Sequence, residues 1–152
     1  MVKLCFFAFI IFLYGGVSIH AQDENLDCSK IEYEDNDQII AEDFVLRKIA
    51  GKAIIDLKNT NNTPFAIGCV ALFDDKTKNL VRTLIPDKNG IFSFKNIPNG
   101  NYRLVVKAFY NAFCLANISV EVNNKLKKKE RILVHLRPQG TDSCSFGTLY
   151  NP

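Results

Sequence analysis

Hydrophobic and polar residues alternate along most of the chain after residue 48, with the two-residue period of strands that bury one face. The firmest example is the stretch from Asp87 to Ala108, which holds two strands and two turns. Asp87-Lys88-Asn89-Gly90 and Pro98-Asn99-Gly100 are predicted turns, because Asn and Gly tolerate positive φ angles. The pattern assigns to the core Phe92, Phe94, Tyr102, Leu104 and Val106.

The same alternation predicts seven short strands, separated by turn-forming residues at intervals of roughly ten residues. They span residues 49–57, 68–73, 80–85, 92–95, 102–108, 117–122 and 132–136. On the second strand, Cys69, Ala71 and Phe73 fall on the face opposite the core. Residues 39–46 fit either a short strand or a helical turn. No long window has a helical period, so we predict an all-β protein of the β-sandwich type.

The first 21 residues are predicted to be a secretory signal peptide that is not part of the fold. Lys3 gives a positively charged start, residues 4–17 are nearly all apolar, and Ala21 precedes the predicted cut. An uncleaved membrane anchor is the alternative, but this run is shorter than the roughly 20 residues that span a bilayer. We therefore expect a secreted, periplasmic or cell-surface protein without a membrane span in its mature chain.

Export changes what the cysteines indicate, because disulfides persist in oxidising compartments. Cys28, Cys69, Cys114 and Cys144 follow the signal peptide and predict two disulfides. A zinc site would need closely spaced cysteine or histidine pairs, which these four do not form. Three pairings are possible. We favour Cys69 with Cys114, a strand with its neighbouring loop, and Cys28 with Cys144, which would join the two tails.

Charge divides the chain unevenly. Residues 22–43 hold nine acids and one base, whereas residues 44–152 hold 17 bases and seven acids. We therefore divide the chain into a signal peptide (1–21), an irregular acidic N-terminal arm (22–45), a β-sandwich domain (46–137) and an irregular C-terminal tail (138–152). The arm is either a solvated leader or a segment that folds back over the basic domain and is anchored through Cys28.

Two motifs in residues 47–137 resemble those of the carboxypeptidase regulatory-like domain, which is common in exported bacterial proteins. The first is Asp87-x-x-Gly90-x-Phe92-x-Phe94, and the second is Ile97-Pro98-x-Gly100-x-Tyr102-x-Leu104-x-Val106. Earlier strands fit as well: residues 49–53 contain a glycine, and Pro64 precedes residues 68–73. The resemblance implies a prealbumin-like (transthyretin-like) Greek-key β-sandwich with a non-catalytic structural or binding role. The arm and the tail lie outside the shared pattern.

The sequence offers little catalytic machinery, so we predict that the protein is not an enzyme and needs no cofactor. His135 is the one histidine after the signal peptide, and it lies on the outward face of the last predicted strand. A nucleophile–histidine pair would need a hydroxyl or thiol beside it, and the nearest candidates are on other elements. The prealbumin-like fold also includes a hydroxyisourate hydrolase with several histidines and a C-terminal Tyr-Arg-Gly-Ser, which the final residues 149–152 do not match.

Two acidic clusters are candidate calcium sites. Asp74-Asp75 and Asp87-x-Asn89 both fall in predicted turns. A calcium ion takes six or more oxygens, and neither cluster has the Asp-x-Asp-x-Asp-Gly spacing with a distal glutamate. We predict that these residues form solvated turns and that the protein has no metal site.

Two loops are candidate binding surfaces. The lysine loop, residues 125–131, includes Lys127, Lys128 and Lys129. It is interpreted either as a docking patch for an anionic partner or as a solvated turn whose lysines deter edge pairing. The aromatic loop, residues 109–113, includes Phe109, Tyr110 and Phe113, which would cap the sandwich or stack on a sugar ring. The partners expected are a polysaccharide or another envelope protein. Nucleic acid is not expected of an exported chain without a row of exposed aromatic residues.

Overall fold

The structure is a computed structural model that describes residues 27–33, 40–57, 63–66, 68–109, 112–140 and 145–152, with residues 40–42 described by backbone alone. A short 3₁₀ helix, Cys28–Lys30, comes first. The strands are β1 (Ile40–Leu46), β2 (Ala50–Ile55), β3 (Thr63–Pro64), β4 (Gly68–Asp74), β5 (Leu80–Leu84), β6 (Ile91–Ser93), β7 (Gly100–Ala108), β8 (Ala116–Val122), β9 (Arg131–Leu136) and β10 (Phe146–Tyr150). The predicted signal peptide lies outside the described residues.

The strands form two mixed sheets. Sheet A has the order β1-β8-β7-β4-β5, and sheet B has the order β10-β9-β2-β3, with β6 also pairing with β2. β1 with β8 and β2 with β9 are parallel pairs, and the other pairs are antiparallel. The predicted all-β class is confirmed, in a β-sandwich-like arrangement. The predicted count of seven strands is not, because the described residues contain ten.

The core lies between the inner faces of the two sheets. Alternate residues of β4, β7 and β8 meet alternate residues of β2 and β9 there, as the two-residue period predicts. The five residues predicted for the core are all buried, each with at most 6% of its surface exposed. These are Phe92, Phe94, Tyr102, Leu104 and Val106.

Glycine is required in the turn before β6. Gly90 has a φ of +75°, and a Cβ atom at this position would lie 2.2 Å from the carbonyl oxygen of Ala53. The Asp87 side chain accepts hydrogen bonds from the backbone N–H groups of Asn89 and Ile91, both at 2.8 Å. The predicted turn at residues 87–90 is therefore confirmed, and the Asp87 side chain is used to hold its backbone.

Sheet A is also covered on its outer face. Ala71, Phe73 and Val105 form a second buried cluster there, against which Ile31 and Tyr33 pack. Ile31 and Tyr33 belong to residues 27–33, which are called the cover segment below. The predicted arm thus contacts the domain, and apolar packing and a disulfide hold the part that the structure describes.

The disulfide of the cover segment joins Cys28 to Cys69, with a Cα–Cα distance of 5.7 Å. The favoured pairing of Cys69 with Cys114 and of Cys28 with Cys144 is therefore wrong. Cys69 points to the outer face of β4, as predicted, and that face is where the arm crosses the sheet. Alternation along the strand identified the face, but it carried no information on which segment would cover it.

Aromatic and polar contacts hold Tyr33, at the end of the cover segment, in place. The ring of Phe73 meets the ring of Tyr33 edge-on at 5.5 Å, and Lys78 Nζ lies 4.9 Å from the centre of the Tyr33 ring. The Asn117 side chain donates a hydrogen bond to the Tyr33 hydroxyl at 3.3 Å. Lys78 Nζ also lies 3.1 Å from Asp75. Tyr33 therefore lies on the outer face through apolar, cation–π and hydrogen-bond contacts together.

The arm and the tail are less irregular than predicted, because β1 and β10 lie within them. β1 extends sheet A and β10 extends sheet B. β10 lacks an apolar alternation because its inner face carries Gly147, where a Cβ atom would lie 2.8 Å from Ile118 Cδ1. For residues 39–46, the strand alternative applies to β1, which begins at Ile40.

We predict that Cys28→Ser lowers the free energy of unfolding by about 4 kcal/mol, because the disulfide closes a loop with a sequence separation of 41. Chemical denaturation of the variant and of the wild type measures the difference. The control is the same comparison in reductant, where neither protein has a disulfide, and there the two proteins should unfold alike. Equal unfolding midpoints for oxidised wild type and variant would contradict the structural role of this bond.

The remaining cysteines give a second prediction. Cys114 forms no disulfide with the described residues, and Cys144 lies outside them. Of the four cysteines that follow the predicted signal peptide, Cys28 and Cys69 are joined, so only a Cys114–Cys144 bridge would leave no thiol among them. Ser145, next to Cys144 in sequence, donates a hydrogen bond to the Cys114 carbonyl oxygen at 2.6 Å, which brings the two chain segments together. Peptide mapping without reduction should find this second bridge, and two thiols titrated under denaturing conditions would refute it.

Candidate functional site

A cleft of about 520 Å³ opens where β1 passes to β2 and where β8 passes to β9. Its charged lining residues come from those two connections and from the first residue of β9. They are Arg47, Lys48, Lys129, Glu130 and Arg131. This cleft is called the basic cleft, because four of these five residues are cations.

Buried neighbours turn two of the cations outward. Leu46 ends β1 with 1% of its surface exposed, and Ile49 is fully buried just before β2. Arg47 and Lys48 lie in the bend between these two anchors, and both are exposed. Because the chain must bury Leu46 and Ile49 on either side of the bend, the two charged side chains remain at the surface.

The lysine loop supplies the other wall. The Asn123 backbone N–H donates to the Leu46 carbonyl oxygen at 2.8 Å, which ties the start of the loop to the end of β1. The Asn124 backbone N–H donates to Asn99 Oδ1 at 2.9 Å. Lys125 donates its backbone N–H to Asn123 Oδ1 at 3.2 Å. These bonds satisfy backbone N–H groups that have no partner in the strand pairing of sheet A, and they fix the path of the chain past Arg47.

Of the three lysines singled out from the sequence, the basic cleft contains one. Lys129 lines it, whereas Lys127 and Lys128 are exposed on the same loop. Lys128 Nζ lies 3.5 Å from Glu130, so this acid is partly compensated. The cleft therefore combines cations from two distant parts of the sequence. Its positive potential favours an anion, although each exposed pair would contribute only about 0–1 kcal/mol.

The aromatic loop is less open than a sugar-stacking platform requires. Phe113 packs against the core and forms an isolated bridge with Pro138. Phe109 is half-buried, and Tyr110 lies outside the described residues. The contacts of Phe113 favour capping of the sandwich for that residue.

The acidic turns use their carboxylates within the fold. Asp74 accepts hydrogen bonds from the backbone N–H groups of Lys76 and Thr77, and these bonds lower its pKa, chiefly through Thr77. Asp75 accepts from Arg103 Nε at 2.6 Å, and this hydrogen bond is the main reason that its pKa lies below the usual value. Within the described residues no group of three metal-binding side chains occurs.

His135 has more partners than the sequence indicated. On the outer face of sheet B, its Nδ1 lies 3.8 Å from Asp56 Oδ2 and its Nε2 lies 3.3 Å from Thr148 Oγ1. The ring of Phe146 is stacked on the histidine ring at 4.4 Å. The sequence does not indicate Thr148 and Phe146 as neighbours of His135, because both lie on β10, a strand that the alternation does not predict.

The His135 ring lies between the Asp56 carboxylate and the Thr148 hydroxyl, as the histidine of a catalytic triad lies between its acid and its nucleophile. The distance between Asp56 and His135 exceeds that of a hydrogen bond. Asp56 instead accepts from Arg137 Nε at 3.0 Å. We therefore assign these contacts to the attachment of β10 and of the end of β2 to β9.

Comparisons with known proteins add no relative: no protein-family model, curated protein or solved structure matches the chain. Across the part of the chain that the structure describes, no helix is long and apolar enough to cross a membrane.

The pH dependence of stability should report the burial of His135. Burial is the main cause that lowers its pKa, Arg137 lowers it further, and Asp56 opposes the shift. Below about pH 6.5 His135 takes up a proton more readily in the unfolded chain than in the folded chain. The free energy of unfolding therefore decreases as the pH falls through that window. We expect the loss between pH 7.5 and 5 to be smaller in His135→Gln.

The test compares denaturation midpoints of both proteins, expressed from Gln22, at the two pH values. Glutamine keeps a polar group opposite Thr148, so stability at pH 7.5 serves as the internal control for packing. An equal or larger loss in the variant would show that His135 does not resist protonation in the folded state.

Proposed function

We propose that the protein is an exported, non-catalytic binding module whose basic cleft binds anionic groups of its partner. The observation that carries this proposal is the convergence of four cations, from the β1–β2 bend and the β8–β9 loop, around one concave space. Two of them are arginines, Arg47 and Arg131, whose planar guanidinium groups suit carboxylate, sulfate and phosphate oxygens. The volume lies within the range of small-ligand sites.

Export to an oxidising compartment is the second part of the proposal. It is supported by the apolar leader at residues 4–17 and by the Cys28–Cys69 bridge, since disulfides are rare in reducing compartments. Such a protein would be secreted, periplasmic or held at the cell surface, with the leader removed after Ala21.

We also propose that the domain is of the carboxypeptidase regulatory-like type, with a prealbumin-like Greek-key order. The support is local: the turn at 87–90 precedes β6, and Pro98-Asn99 precedes β7, which begins at Gly100, as both motifs require. The Tyr102 hydroxyl donates a hydrogen bond to the Pro98 carbonyl oxygen at 3.1 Å. This bond gives a structural reason for a tyrosine at that position of the second motif.

A purely structural role is the competing function, and anion binding separates the two. In the double variant Arg47→Ser/Lys129→Ser, two of the four cleft cations are removed. The matched control is Lys76→Ser/Lys88→Ser, which removes the same charge from two exposed lysines in turns outside this cleft. Electrostatic binding at a defined site should distinguish these two proteins even though their net charges are equal.

We predict that the cleft variant elutes from heparin at clearly lower salt than the control variant, which should elute close to the wild type. The measurement is the salt concentration at elution, with thermal unfolding to show that both variants are folded. Equal elution of the two variants would mean that the protein responds only to net charge, and it would refute the basic cleft as a binding site.

A further inference from the structure

A second cleft adjoins the basic cleft. It also measures about 520 Å³, and its polar lining residues come from β7, β8 and the loops that flank them. They are Asn99, Asn101, Glu121, Asn123 and Lys125. This space is called the amide cleft, because three of these five side chains are carboxamides.

The chemistry of the amide cleft differs from that of the basic cleft. One acid, Glu121, and one base, Lys125, leave it without net formal charge. Carboxamides offer both donors and acceptors, and the carboxylate and ammonium add one acceptor and one donor group. This mixture suits a ligand with many neutral hydroxyl groups, each of which donates one hydrogen bond and accepts others.

Several of these groups are held in place before any ligand binds. Asn101 and Glu121 face each other across the β7–β8 ladder, so their side chains lie on the same face of sheet A. Asn99 Oδ1 accepts the backbone N–H of Asn124 at 2.9 Å, and Asn123 Oδ1 accepts that of Lys125 at 3.2 Å. Those bonds orient the amides and leave their Nδ2 groups without a hydrogen-bond partner among the described residues.

Consecutive residues of the β8–β9 connection line the two clefts. Asn123 lines the amide cleft, and Asn124, the next residue, lines the basic cleft. A ligand that crosses the loop at this point therefore meets hydroxyl-binding groups on one side and cations on the other. Adjacent Cα atoms are about 3.8 Å apart, so one short stretch of polymer is long enough to reach both spaces.

We propose that the ligand is an acidic polysaccharide, which lies across the lysine loop with sugar hydroxyls in the amide cleft and its anionic groups in the basic cleft. This inference rests on the proposed function and names its ligand class. A polymer fits better than a single sugar because both spaces are open and polar, so each contact is weak and affinity must come from repetition. A polyanion without sugar rings would leave the amide cleft unused.

The test uses three soluble probes of similar length: oligogalacturonate, polyglutamate and neutral dextran. Two variants separate the clefts. Asn101→Ala removes one carboxamide without a change of charge, and Arg47→Ser/Lys129→Ser removes two cleft cations. We expect the wild type to bind oligogalacturonate more tightly than polyglutamate and to show no measurable affinity for dextran in calorimetry or affinity electrophoresis.

Asn101→Ala should weaken oligogalacturonate binding about fivefold, the usual effect of one lost hydrogen bond, and should leave polyglutamate binding unchanged. The cation variant should weaken both. Equal affinity of the wild type for both polyanions, with no effect of Asn101→Ala, would overturn the polysaccharide while the anion site stands. Failure of the cation variant to alter either affinity would overturn the anion site itself.

Discussion

Strand β4 is buried on both faces, and much of the molecule is arranged around that constraint. Its inner side chains, such as Leu72, contact the core between the sheets, and its outer side chains, such as Phe73, are equally buried. A strand at that depth cannot face water on either side without a large loss of hydrophobic stabilisation. The cover segment therefore belongs to the fold, and the disulfide at Cys69 keeps it in contact with the sheet.

This constraint separates structural and functional surfaces. On charge alone, the acidic arm would either stay solvated or fold back over the basic domain. Its described part lies against β4 and β5, where Ile31 and Tyr33 pack on the sheet. Asn117 Oδ1 and Arg103 Nη1 are buried beside it without a hydrogen-bond partner among the described residues. Such groups are costly, which indicates that apolar contact and the disulfide dominate there. The basic and amide clefts are formed instead by the strand ends and connections at one end of the sandwich.

The sequence was informative wherever a side chain's position depended on its own strand. Alternation placed Phe92 and Phe94 inside and Cys69 outside, since each strand buries one face in register with the core. It failed where a partner from elsewhere decided the outcome. Gly147 faces the core because Ile118 needs that space, and the cysteine pairing follows the path of the arm. Lys129 was recognisable as a candidate, but only the fold brings Arg47 beside it.

The cover segment lies on the outer face of sheet A, and we propose that the end of the sandwich at the lysine loop binds an acidic glycan. The most direct measurement is an NMR titration of ¹⁵N-labelled protein with oligogalacturonate. We expect the titration to shift the signals of the backbone amides of Arg47, Asn101 and Lys129 and to leave those of Tyr33 and Phe73 unchanged. Shifts centred on the cover segment and the outer face of β4, with the two clefts unaffected, would contradict it.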